Sequence, residues 1–328
     1  MKRPNLFNFA TGELSQDAFI CWLLSWADHG TAMANAALHQ AGLSFLRTIY
    51  EKVGRKLPAE PVVIDIKRQY HHIDILCIVN HETALVIEDK IGSQQHSDQL
   101  ARYLIDIRKE AAFKEVYPIY LQTGDQSDYG DVAKHDYVIL KRHDLLSVLE
   151  SADMDSGQHS DVFKDFTERL RGIENAVQSY GTHPPIKWTW DSWKGFYSCL
   201  QQELHDGKWD YVPNPSGGFL GFWWHFNGDD NIEQYLQLEQ EKFCFKIWVK
   251  DAVKRTELRD LWHSKLISES AVRGIPLRRP RRLGNGAYMT VAVYDGEYRL
   301  LNDNGLIDID ATCALLRKAG VFLDVCSA

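Results

Sequence analysis

Between His72 and Tyr103 the chain reads HIDILCIVNHETALVIEDKIGSQQHSDQLARY, and this stretch limits the fold more than any other. It reads as a strand, a turn near Asn80–Thr83, a second strand, a short loop and a helix. Successive strand side chains point to opposite faces. Glu88 and Lys90 therefore share one face of the second strand, while Ile87 and Asp89 take the other. On the first strand Asp74 stands between Ile73 and Ile75, an acid in an otherwise apolar run. If the strands pair through the turn, Asp74 and Glu88 meet on the same side. Two carboxylates and an ammonium then converge where the pattern predicts Val or Leu. Local rules broken together in one place mark a functional site.

Metal-assisted phosphodiester hydrolysis needs such a set. Two hard carboxylate oxygens, with a strand carbonyl such as that of Asp89, suit Mg²⁺, which keeps several waters and binds phosphate alongside. The metal polarises the phosphate and lowers the pKa of a bound water. Lys90 adds positive charge beside the attacking water and the developing charge on the phosphoryl group. In the helix that follows, Gln99 and Tyr103 are four apart and share a face. Leu100, Leu104 and Ile107 form an adjacent stripe that docks the helix on the sheet.

Asp74, then Glu88-Asp89-Lys90, then Gln99-Leu-Ala-Arg-Tyr103 together resemble the PD-(D/E)xK nuclease superfamily, in the branch with a Q-x-x-x-Y helix. The earlier Glu13-Leu-Ser-Gln-Asp-Ala-Phe-Ile-Cys-Trp-Leu-Leu-Ser-Trp26 is similar to the first helix of bacterial members often found near defence systems. The resemblance implies a restriction-endonuclease-like α/β core, a mixed central sheet flanked by helices. It implies catalytic roles for Asp74, Glu88, Lys90, Glu13, Gln99 and Tyr103. Mg²⁺ or Mn²⁺ would be held by Asp74, Glu88, Glu13 and the Asp89 carbonyl. Ile73 stands where the motif's Pro would be, a Pro that members often lack. The outer members also admit plainer readings: Glu13 as an ordinary acid in a helix's first turn, Tyr103 as a core residue, Gln99 as a surface one. Asp65 is a rival acid, but Lys67 and Arg68 follow it and suggest an ion-paired edge. His72 reads as structural or supporting.

The length of 328 residues allows two ordinary domains. Residues 13–26 read as a helix apolar nearly all round, with Glu13 and Asp17 at its start. A second helix spans about 31–53. After the motif, Val116–Leu121 and Tyr137–Leu140 read as strands, and Val162, Phe166, Leu170, Ile173 and Val177 as a helical stripe. Gly181-Thr-His-Pro-Pro185 is the best boundary, giving a nuclease-like domain over 1–182. An α+β domain over 186–328 would serve substrate choice, a partner or oligomerisation. In that half, strands are expected at 217–226, 232–239 and 243–249, with helices at about 254–270 and 311–319. Asp295-Gly296 signals a type I′ hairpin between 287–294 and 297–301. Eight of the ten Trp lie there; core packing explains them better than base stacking. Arg278-Arg-Pro-Arg-Arg282 reads equally as a phosphate contact or a solvated loop.

The net charge of −8 gives no global field for nucleic acid, so any binding has to be local. The six Cys are scattered with no C-x-x-C pair, as in a reduced core. No signal peptide or membrane-length apolar run appears, so the expected location is the cytoplasm. There is no Walker loop, zinc-finger spacing or nucleophile elbow. The sequence therefore favours a Mg²⁺- or Mn²⁺-dependent nuclease acting on DNA; the resemblance adds a setting in prokaryotic defence against foreign nucleic acid, and a homo-oligomer or defence-system partner. A catalytically silent nuclease-fold scaffold and an RNA-directed nuclease stay open as alternatives.

Overall fold

The computed structural model describes residues 3–59, 61–92, 98–110, 113–152, 160–215 and 217–327, and of Asp98 and Gln99 the backbone alone. The chain divides into two compact units, Met1–Asn175 and Ala176–Ala328.

The first unit opens with helices α1 (Glu13–Ser25) and α2 (Ala36–Lys52), then strands β1 (Ile64–Tyr70), β2 (Ile73–Val79) and β3 (Thr83–Lys90). Helix α3 (Asp98–Arg108), β4 (Glu115–Gln122), the short α4 (Gly130–Ala133) and β5 (Val138–Lys141) follow. Helices α5 (Arg142–Ser151) and α6 (Asp161–Gln178) come last, and the division between the units falls within α6. Asn35 caps α2 by accepting the Leu38 N–H at 2.9 Å, which sets the start of a helix that the sequence pattern begins earlier.

The five strands form one sheet in sequence order. β1, β2 and β3 are antiparallel, whereas β4 and β5 run parallel to β3. A parallel step requires a long crossover, which contains α3. The turn between β1 and β2 is His71-His72, both residues in the left-handed region (φ 51° and 69°). Two such residues match the type I′ geometry that suits the strand twist.

β2 and β3 are apolar on both sides because both sheet faces are covered. Ile75, Cys77, Leu85 and Ile87 pack with Phe19, Leu23, Phe45, Leu145 and Phe166 from the helices of one face. Leu76, Ile78, Ala84 and Val86 pack with Leu100, Tyr103, Leu104 and Ile107 of α3. Helix α1 crosses α2 so closely that a Cβ on Gly42 would lie 2.6 Å from Ala27 N and 2.7 Å from Leu23 O.

The second unit contains α7 (Trp190–Glu203), β6 (Lys208–Val212), β7 (Phe219–Gly228), β8 (Ile232–Glu239) and β9 (Lys242–Val249). It continues with α8 (Arg255–Arg273), β10 (Leu277–Arg278), β11 (Tyr288–Tyr294) and α9 (Ile309–Ser327). Its antiparallel sheet has the order β10-β11-β9-β8-β7-β6. Trp193, Trp209, Trp224 and Trp262 lie in one core with α7, α8 and α9, and Trp188 packs against it.

The expected hairpin at Asp295-Gly296 does not form. β11 pairs with β9 and β10, and the Asp295 N–H donates to the Pro276 carbonyl at 2.8 Å. Residues 297–300 are instead held by their side chains. Tyr298 is fully buried with its hydroxyl on the Gln240 carbonyl, and Arg299 grips Glu297 while lying over the Trp193 ring. Burial of these large side chains outweighs the local turn preference.

At Gly42 the obstructing atoms are backbone, so the helices must part to admit a methyl group. We expect Gly42→Ala to lower stability by about 1–3 kcal/mol, as measured by urea denaturation. An unchanged midpoint would mean that α1 and α2 do not approach this closely in solution.

Candidate active site

The pairing of Ile75 with Ile87 sets Asp74 beside Glu88 at the end of the β2–β3 ladder. Alternation then fixes the faces: Glu88 and Lys90 follow Val86 onto the α3 side, and Asp89 follows Ile87 onto the α1 side. Lys90 Nζ lies 2.7 Å from Glu88 Oε1 and 3.5 Å from Asp74 Oδ2. It also donates to the Asp89 carbonyl at 3.1 Å. Asp74 Oδ2 accepts the Asp89 N–H at 3.0 Å, so the acid on β2 holds the backbone of the motif strand. The structure thus brings Asp74, Glu88 and Lys90 together.

Glu13, at the start of α1, belongs to the other face, yet β3 ends at Lys90 and the helix start reaches past it. Glu13 Oε1 accepts the Ile91 N–H at 3.2 Å, and its charge acts on both Glu88 and Lys90. Tyr103 is 5 % exposed within the α3 core and also lines the cleft beside Asp74. The Gln99 side chain lies outside the described residues. Asp65 is exposed opposite Ile78, toward the other end of β2 from Asp74.

Charge burial dominates the electrostatics. Glu88 is 2 % exposed, and its Oε2 has no hydrogen-bond partner among the described residues. Burial, reinforced by Asp74 and opposed by Lys90, pushes its carboxyl up to about 7. Burial by itself would depress the Lys90 ammonium, but Glu88, Asp74 and Glu13 outweigh it and raise the pKa above its usual value. The ammonium stays charged because carboxylates surround it.

The α1 face carries a second polar layer that the sequence pattern barely signals. Gln16 Nε2 donates to Asp89 Oδ1 at 2.6 Å, and Gln16 Oε1 accepts from the Thr123 hydroxyl at 2.7 Å. Asp17 is buried beside Asp89, and Asp17 Oδ1 and Asp89 Oδ2 have no hydrogen-bond partner among the described residues. Burial and then Asp74 push Asp17 up to about 6; Asp89 is also raised, first by burial. Glu13, Gln16 and Asp17 are one helical turn, so the 3.6-residue period was the available signal. Arg142 had none. Only 5 % exposed, it grips the Asp125 carboxylate with two nitrogens at 2.8 and 3.0 Å, Glu174 at 2.8 Å and the Thr123 carbonyl at 2.7 Å. Between these partners a Cβ on Gly124 would lie 1.6 Å from the Ile91 carbonyl oxygen. Only a glycine lets the end of β4 pass the end of the motif strand.

A cleft of about 480 Å³ opens beside this cluster, lined by Asp74 and Tyr103 together with Gln69, His71, His72, Arg102 and Asp106. Among the described residues no group of three or more His, Cys, Asp or Glu side chains is already gathered as a cation cage. The donor chemistry nevertheless fits a hard divalent ion: Asp74 and Glu88 offer carboxylate oxygens, and the unpartnered buried Glu88 Oε2 lacks any donor.

The family model of the PD-(D/E)XK nuclease superfamily matches residues 4–177, more than half of the chain. The chain belongs to that superfamily, and its mixed sheet flanked by helices is the restriction-endonuclease-like core. Nucleases of this superfamily generally use divalent metals. No curated protein and no solved structure matches the chain.

A carboxyl raised from 4.5 to about 7 on folding stabilises the protein below 4.5 and loses that contribution as pH rises through 7. Without divalent ions the melting temperature should fall across this window, with Asp17 and Asp89 adding to the fall. Glu88→Gln should flatten the profile and melt higher than wild type above pH 7. Parallel profiles for the two proteins would show that the Glu88 carboxyl does not titrate across this window.

Proposed function

We propose that this protein is a divalent-metal-dependent nuclease that hydrolyses phosphodiester bonds in DNA. The observation that carries this reading is the meeting of Asp74, Glu88 and Lys90 within 3.5 Å at the end of the motif strand. Asp74 and Glu88 would hold Mg²⁺ or Mn²⁺, assisted by Glu13 and by the Asp89 carbonyl. When bound, such an ion polarises phosphate oxygens and eases the ionisation of water.

The remaining work falls to the chain. Lys90 puts a fixed positive charge where negative charge develops on the phosphoryl group, inside a site that excludes much of the water. The Glu88 carboxylate keeps that ammonium from swinging away. Asp89, gripped by Gln16 and buried beside Asp17, fixes the backbone between the two functional side chains. Tyr103 and Gln99 of α3 would orient the strand or the water. The unit after residue 175 would select substrate or partner, and a role in prokaryotic defence fits the resemblance of the first helix. A retired scaffold has no reason to keep buried Glu88 beside Asp74, because buried charges are costly to hold.

Purified protein with Mg²⁺ or Mn²⁺ should cut plasmid or linear DNA, and chelation should stop it. Asp74→Asn and Lys90→Ala should each lower kcat by about a hundred- to a thousand-fold. Full activity in either variant, or cleavage in excess chelator, would sink the assignment; cleavage of RNA alone would move it to the RNA-directed reading.

A further inference from the structure

We propose that the cleft beside Asp74 seats the polynucleotide backbone, with His71 and His72 of the β1–β2 turn on one wall and Arg102 of α3 on the other. The proposal deepens the nuclease reading and rests on it.

Position is the first argument. Asp74 and Tyr103 line the cleft, and Asp74 is also within 3.5 Å of Lys90, so the cleft and the candidate centre are continuous. A phosphate at the centre must have neighbours on its strand, and the cleft is where they can lie. Its volume, about 480 Å³, is in the range of small-ligand sites.

Chemistry is the second. The centre itself is acidic, with Glu13, Asp74 and Glu88 around one ammonium, and the whole chain carries −8. A polyanion is therefore repelled unless donors lie beside the acids. The cleft supplies them: two imidazoles, a guanidinium and the Gln69 amide, against one further carboxylate, Asp106, which pairs with Lys109 at 3.2 Å. Guanidinium and N–H donors of this kind position phosphates without reading bases.

Backbone geometry is the third. Besides His71 and His72, Gln69 has a positive φ of 51° inside β1. A left-handed residue within a strand is uncommon and is found most often near functional sites, and the β1–β2 register continues unbroken through it. The register sets Gln69 opposite Asp74, and its amide donates to Asp74 Oδ1 at 3.4 Å, making Gln69 a positioning residue for the acid.

The test is fluorescence anisotropy with fluorescein-labelled oligonucleotides, single-stranded and duplex, of DNA and of RNA, with Ca²⁺ replacing Mg²⁺ to suppress cleavage. His71, His72 and Arg102 are exposed, so their variants should fold. The double variant H71A/H72A and Arg102→Gln should each weaken binding of the preferred probe about tenfold, and Arg102→Gln should reduce the salt slope by about 1. With Mg²⁺, KM should rise more than kcat falls. Lys114→Ala removes a surface charge paired with Glu82 at the opposite end of the strands and should bind like wild type. If the cleft variants bind as tightly as wild type while Asp74→Asn still abolishes cleavage, the cleft proposal fails and the nuclease reading stands. Equal weakening by Lys114→Ala would mean general attraction and would also overturn it. Wild-type protein that neither binds nor cuts any probe would remove the nuclease reading and this proposal together.

Discussion

Burying Glu88 and Asp89, adjacent acids on opposite faces of one strand, is the constraint to which the rest of the first unit responds. Each carboxyl is nearly or fully inaccessible to water. A buried charge must be paired, hydrogen-bonded or neutralised. The two faces answer differently. On the α3 side Lys90 compensates Glu88 and reaches toward Asp74, leaving one oxygen unsatisfied. On the α1 side Gln16 satisfies one Asp89 oxygen, and burial beside Asp17 raises the pKa of both acids. One face remains charged and incomplete, as a centre that binds an ion requires. The other is tied by Gln16 to Thr123, as a support requires, although Asp17 Oδ1 and Asp89 Oδ2 also lack partners among the described residues.

This division explains the shape of the helix layer. Helix α1 lies against the core with Phe19, Leu23 and Leu24, but its first turn extends past the strand's end and presents Glu13 to Ile91 and Gln16 and Asp17 to Asp89. Its close packing on α2 at Gly42 fixes its position along the sheet. Arg142 performs a similar task from β5's end, tying Thr123 and Asp125 to Glu174 of α6. The candidate centre is thus braced by α1 and by Arg142, both from the same helix-covered face, at the point where β3 and β4 stop.

The second unit obeys simpler rules. Many of its aromatic residues fill one core between an antiparallel sheet and three helices, while Trp190, Tyr211, Phe226 and Tyr288 are exposed, and its local irregularity at 295–301 follows from burying Tyr298 and Arg299. Among the described residues of either unit, no helix is long and apolar enough to cross a membrane.

The sequence by itself determined the period-two strands, the acid at 74, the Glu88/Lys90 spacing and the amphipathic stripe of α3, because each depends only on neighbours a few residues apart. It also showed that Glu13 and Asp17 share a helix face. Only the tertiary structure decided that Gln16 links Asp89 to Thr123, that Arg142 braces β4, and that His71, His72 and Arg102 face one cleft. Those pairs are separated by tens of residues, and their side chains have ordinary surface chemistry until folding makes them neighbours. The turn at 295 failed for the same reason in reverse: a strong local preference yields when distant side chains offer more burial than a hairpin could.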